Sequence, residues 1–169
     1  MIFHFALKKN KIFKLDQALR SIKKLFSILI LFAVGFQNEK LFSQGIDANA
    51  LHLGDKIFSS GKYLIDRENG LHLIGASQKQ IDTIFVAVHG FRSQGYEWIY
   101  ALKKMTATNN RTYFYRWDWT QCPDQASSNL YNELKDLLIL EPQIKHVTLF
   151  GHSYGGNIVT GIRDMPNLG

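Results

Sequence analysis

The chain has 169 residues, 46% of them hydrophobic and 13% aromatic, with a single cysteine and a formal net charge of +6. That length supports one domain with a packed core, and the composition excludes a disordered, collagen-like or disulfide-stapled protein. The charge would point to nucleic acid or a membrane surface if a folded face carried it. However, residues 1–44 hold eight basic residues (Lys8, Lys9, Lys11, Lys14, Arg20, Lys23, Lys24, Lys40) against Asp16 and Glu39. Residues 45–169 hold 12 basic and 12 acidic residues and are neutral, so no nucleic-acid partner is expected.

An uncharged apolar run of 12 residues, LFSILILFAVGF, extends from Leu25 to Phe36. It is shorter than the ~20 residues a helix needs to cross a bilayer. A basic region, a short apolar region and a polar stretch together follow the pattern of a secretory signal. Small and polar residues at Ser43–Gln44 lead into Gly45 and offer a cleavage point, with no A-x-A box to fix it. Ile2, Phe5, Ile12, Phe13, Leu19 and Ile22 would equally suit an amphipathic helix lying on a membrane. Residues 1–44 are therefore expected to be a signal peptide or a membrane-associated segment. The protein would then be exported, periplasmic or secreted, or held at a membrane. No Cys precedes Cys122, which excludes lipid attachment through an N-terminal cysteine, and one cysteine forms no internal disulfide.

Residues 45–169 form the globular part. A short helix is expected around Ala48–Phe58. Lys62–Ile65 and Leu71–Ile74 flank Asn69-Gly70, which reads as a β-hairpin. Thr83–Val88 (TIFVAV) reads as a strand buried on both faces and ends at His89-Gly90. Tyr96–Met105 has helical spacing, and Thr112–Trp117 (TYFYRW) reads as a strand closed by the polar loop Asp118–Gln125. In the helix Ser127–Leu140, Leu130, Leu134, Leu137 and Leu138 share one face, with Pro142 after its end. His146–Phe150 is a short apolar strand leading into GHSYGGN and a helix over Asn157–Asp164. Strands alternating with helices give an α/β fold with a parallel sheet and right-handed crossovers. No metal-ligand spacing, dinucleotide fingerprint or Walker loop occurs, so no metal or cofactor is expected.

The chemistry concentrates in Gly151-His152-Ser153-Tyr154-Gly155. G-x-S-x-G between a strand and a helix places the serine on a sharp, strained turn with its Oγ exposed at the carboxyl end of the sheet. Glycines on either side leave room for that turn, and Gly156 adds another small residue. The following helix aims its N-terminal N–H groups at the site and favours an oxyanion. By composition alone the motif arises in roughly one chain in twenty of this length. His89-Gly90-Phe91 at the end of the earlier strand strengthens it. If strands Thr112–Trp117 and His146–Phe150 flank Thr83–Val88, the strand order reverses beside the latter pair, where ligands bind in open α/β sheets. The backbone N–H groups of Phe91 and Tyr154 would then form an oxyanion hole facing Ser153, supported by His89, Gly90, Gly151, His152, Gly155 and Gly156.

VAVHGF followed by LFGHSYGGNIV resembles the α/β-hydrolase superfamily, in particular its lipase, esterase and thioesterase branches of the G-H-S-x-G type. The resemblance covers residues 62–164. It implies acyl transfer by Ser153 on a small-molecule or lipid acyl substrate, with Phe91 and Tyr154 holding the oxyanion. It also implies a triad acid and then a histidine after the serine. The 16 residues after Ser153 contain no His, and their one acid, Asp164, is on the helix right after the nucleophile. The sequence therefore reads as the N-terminal part of such a hydrolase, truncated after the elbow. Alone it is expected to be marginally stable and nearly inactive, with strand His146–Phe150 as an exposed edge. The other reading is a non-catalytic remnant or a membrane-surface binding protein. His152 is expected to pack, His89 to buttress the oxyanion loop, Asp118 to cap a turn, and Arg92 and Ser93 to belong to a solvated loop, with the pocket rim as their other reading.

Overall fold

The structure, a computed structural model, describes residues 45–76, 82–108, 110–163 and 165. The export or membrane role of residues 1–44, and Asp164, lie outside the described residues. Four strands form one mixed sheet: β1 (Gly70–Leu73), β2 (Thr83–Val88), β3 (Arg111–Arg116) and β4 (His146–Gly151), in the order β1-β3-β2-β4. β2 pairs in parallel with β3 and with β4, and β1 pairs antiparallel with β3. The helices are α1 (Ile57–Ile65), α2 (Tyr96–Ala107), α3 (Pro123–Leu140) and α4 (Gly155–Arg163). The α/β class expected from the sequence holds. Among the described residues no helix is long and apolar enough to cross a membrane.

The core forms two layers, one on each face of the sheet. Ile84, Val86 and Val88 of β2 point to the face covered by α3 and α4, where Leu130, Leu134, Leu137 and Ile158 are buried against Tyr113 and Tyr115. Ala87 and Phe114 point to the other face, against Leu64, Trp98, Ile99 and Leu102 of α1 and α2. The i, i+4, i+7 spacing of the α3 leucines creates the stripe that this layer buries. Pro123 at its first turn needs no N–H bond there, so the helix begins four residues before the expected Ser127. Each fully buried Leu in these layers contributes about 1.5–3 kcal/mol of apolar transfer free energy.

The expected hairpin is absent, and so is the single helix over Ala48–Phe58. Short 3₁₀ turns at Ala48–Ala50 and Gly54–Lys56 lead into α1, which takes Lys62–Ile65 into a helix. Four alternating residues do not separate a strand from one helical turn, and tertiary packing decides. Ser60, Gly61 and Leu64 form the buried face of α1. A Cβ on Gly61 would lie 2.4 Å from the Tyr96 backbone nitrogen, so this glycine is what lets α1 touch the start of α2. Asn69-Gly70 serves another need. Gly70 opens β1 at φ 139°, and β1 finds its partner in β3, with Leu71 opposite Tyr115. The Leu71 N–H donates to the Glu133 carboxylate of α3 at 2.6 Å.

β4 is the edge strand among the described residues, and none of its side chains is fully buried. Phe150 is 38% exposed and stacks on Phe85 of β2 at 5.9 Å. A buried ion pair between Arg111 at the start of β3 and Glu141 after α3 fastens the opposite end of the sheet.

Two substitutions separate close contact from helix propensity. Gly61→Ala should destabilise the protein by about 1–3 kcal/mol through overpacking against backbone. Gly156→Ala, where nothing lies within 4 Å of the added Cβ, should be neutral or stabilise by about 0.5–1 kcal/mol. Urea unfolding followed by circular dichroism measures both.

Candidate functional site

The site grows out of the parallel pairing of β2 and β4, which sets Val88 beside Gly151. The His152 N–H then donates to the Val88 carbonyl at 3.0 Å, and the chain turns at once. Ser153 sits at the tip with φ 52°, a backbone region that non-glycine residues adopt rarely. Gly155 N–H donates to the His152 carbonyl and Gly156 N–H to the Ser153 carbonyl, both at 2.9 Å, and these bonds close the turn into α4.

Three glycines make this geometry possible. A Cβ on Gly151 would lie 2.5 Å from the Gly155 carbonyl oxygen, and one on Gly155 would lie 2.4 Å from the Val88 carbonyl oxygen. On Gly90 it would lie 2.9 Å from the His152 carbonyl oxygen and 3.0 Å from Ser153 Cβ. The two loops named by the sequence therefore touch. Gly156, expected as a further small support, meets no steric demand.

Phe91 and Tyr154 lie next to each other, their rings 6.3 Å apart at 62°. Among the described residues neither backbone N–H donates a hydrogen bond to the protein. Phe91 also meets Trp119 edge to face at 5.4 Å, and Trp117 stacks on Tyr154 at 6.3 Å. These rings form an aromatic wall at the carboxyl end of the sheet, with Phe91, Ser153 and Tyr154 exposed.

His89 lies fully buried beneath that wall, its ring stacked between Phe114 at 5.8 Å and Trp117 at 5.5 Å. The Trp117 backbone N–H donates to His89 Nε2 at 3.1 Å, which leaves the ring proton on Nδ1 to donate to the Gly90 carbonyl at 2.8 Å. Trp117 Nε1–H donates in turn to the His89 carbonyl at 2.7 Å. Burial pushes the His89 pKa down to about 4, assisted by the charge of Arg116. The imidazole is therefore neutral at pH 7 and is fixed by its tautomer to the loop that carries Phe91.

The remaining residues named from the sequence divide between rim and turn. His152 is exposed and stands edge-on to Trp98 at 6.4 Å. Asp118 Oδ1 accepts from the Thr120 N–H at 2.9 Å and hydroxyl at 2.7 Å, in a tight turn. Ser93 accepts from the Gly95 N–H at 3.1 Å and donates its hydroxyl to Glu97. Glu97 and Arg116 escaped the sequence reading. Arg116 donates from Nε to the Ile65 carbonyl at 2.8 Å and from Nη1 to the Trp117 carbonyl, tying α1 to the loop after β3. A charge interrupting the apolar run TYFYRW was the available signal, because a half-buried guanidinium requires partners.

No protein-family model, curated protein or solved structure matches this chain. What the site can do is read from its residues. A cleft of about 610 Å³ lies at the other end of the sheet, lined by Ile46, Ile74, Lys103, Thr106 and Arg111 among others. It is remote from Ser153.

The buried histidine predicts a pH dependence. His89 binds its proton in the unfolded chain below about 6.5 and in the folded chain only below about 4. Its contribution is therefore present above pH 6.5 and is lost as the pH falls towards 4, by about 3 kcal/mol in all. Urea unfolding at pH 7, 5.5 and 4 should show that loss, and His89→Gln should flatten it.

Proposed function

We propose that this chain carries the nucleophile and oxyanion hole of a serine hydrolase of the α/β-hydrolase type. It would cleave an ester, thioester or related acyl bond through an acyl-enzyme on Ser153. The observation that carries the reading is the left-handed Ser153, φ 52°, in G-x-S-x-G between a parallel strand and a helix. Strain of this kind persists only where surrounding structure imposes it, and it concentrates at sites of chemistry.

In this reading Ser153 Oγ attacks the substrate carbonyl. The charge that develops on its oxygen meets the Phe91 and Tyr154 N–H groups and the amino end of α4. Each such donor accounts for about 10²–10³-fold in rate. The Oγ proton must pass to a base. Among the described residues Ser153 Oγ has no hydrogen-bond partner, and the acid and histidine implied by the resemblance are not among them. His89 is unsuited, because both its nitrogens are engaged in holding the loop. Residues 1–44 support an exported or membrane-held hydrolase on sequence grounds alone. Because Ser153 Oγ has no partner among the described residues, the second reading is a non-catalytic hydrolase-like remnant or a membrane-surface binding protein.

A fluorophosphonate probe followed by intact mass tests the first reading. The protein should take up one adduct, which Ser153→Ala abolishes. An unlabelled protein, or labelling retained in Ser153→Ala, leaves the non-catalytic reading standing.

A further inference from the structure

Among the described residues two non-glycine positions hold a positive φ, Ser153 at 52° and Arg92 at 53°. They lie on the two loops that touch at Gly90. The strained turn at Arg92 sets its guanidinium against aromatic faces, 5.3 Å from the Phe91 ring centroid and 6.0 Å from that of Trp119. Arg92 is exposed, and among the described residues its guanidinium makes no ion pair. Glu97, the carboxylate closest in sequence, accepts from the Ser93 hydroxyl, and Asp118 is engaged in its own turn.

A cation resting on aromatic rings is positioned without being neutralised, since the ring quadrupole carries no net charge. Its planar fork matches a carboxylate or phosphate with two parallel hydrogen bonds. The amino end of α4 adds positive potential at the same place. The rings beneath it, Phe91 and Trp119, continue through Tyr154 as an apolar wall next to the serine. A neutral acylglycerol leaves Arg92 with nothing to hold.

We infer that the site selects acyl compounds bearing a carboxylate or phosphate on an apolar or aromatic body, with Arg92 as the specificity-determining residue. The reaction implied for such compounds rests on the serine-hydrolase reading. Their binding does not, and is tested separately. Tryptophan fluorescence of the full chain is titrated with phenyl phosphate, with phenylacetate and with neutral phenylacetamide. Both anions, or one of them, should give a saturable change, with the amide weaker by about tenfold or more, as expected for hydrogen bonds to a charged group. A response to phenyl phosphate alone assigns the group to a phosphate ester, and a response to phenylacetate alone assigns it to a carboxylate.

Arg92→Gln should weaken anion binding by about tenfold or more and leave the amide unchanged. Arg92→Lys, which keeps the charge and loses the fork, should fall between. This intermediate value separates lost recognition from lost fold. Equal binding of anions and amide, an Arg92→Gln affinity within about twofold of the parent, or no saturable change with either anion overturns the inference. Failed fluorophosphonate labelling with retained anion selectivity would remove the serine chemistry and keep the anion site. The reverse pattern would keep the chemistry and remove the selectivity.

Discussion

The site depends on a contact between two stretches of backbone. β2 and β4 run side by side at the spacing of a parallel ladder, about 4.8 Å. At their carboxyl ends the ladder gives way to direct approach. Gly155 is packed against the Val88 carbonyl, Gly90 against the His152 carbonyl and Ser153, and Gly151 against Gly155. A methyl group at any of the three would collide with backbone and push the strands or α4 away. Because the contact is so close, Phe91 and Tyr154 become neighbours although 63 positions separate them in sequence, and Ser153 is forced outward.

The loop after β2 is held from its other side by a different device. There His89 and Trp117 exchange hydrogen bonds that need no glycine, only a neutral imidazole in one tautomer. Phe114 closes over the ring from β3. The loop carrying Phe91 and Arg92 is therefore clamped between β4, through close backbone contact, and β3, through a buried polar side chain. Polar groups in such a place stabilise only when every donor and acceptor is satisfied. That is why acid acts first on this support and not on the serine.

Strands with a continuous β-branched core, such as Thr83–Val88, could be read in the sequence because one strand buried on both faces needs little else to define it. So could the leucine stripe of α3, whereas the order β3-β2-β4 entered only as a condition that the structure meets. The stretch 62–65 could not. Its four residues fit either period, and the deciding contact is Gly61 against Tyr96, a meeting of helices 35 positions apart. At the site the glycine spacing was legible as a steric demand at Gly151 and Gly155, while the close approach of Gly90 to His152 emerges only in the structure. The same reasoning overreached at Gly156, where no neighbour exists. Arg92 was legible only as a solvated-loop or rim residue, since its left-handed backbone and ring contacts arise from how the turn closes in three dimensions.

The two ends of the sheet show why cavity size is a poor guide here. The 610 Å³ cleft at the amino end of β3 borders Arg111, whose guanidinium is already bound to Glu141, and Asp47, which accepts from the Asn49 N–H. Both groups are committed to holding the fold. Around Ser153 the situation is reversed. Among the described residues two backbone N–H groups, one hydroxyl and one guanidinium are left without a hydrogen bond or ion pair to the protein, in the one region where non-glycine backbone is strained. Folding normally satisfies such groups or leaves them to water on relaxed backbone. Holding them together, pre-oriented and unpaired, is what binding an anionic acyl group requires, because a fixed array of donors need not reorganise when charge develops. Phe91, Arg92, Ser153 and Tyr154 are exposed, and the glycine contacts hold their two loops together.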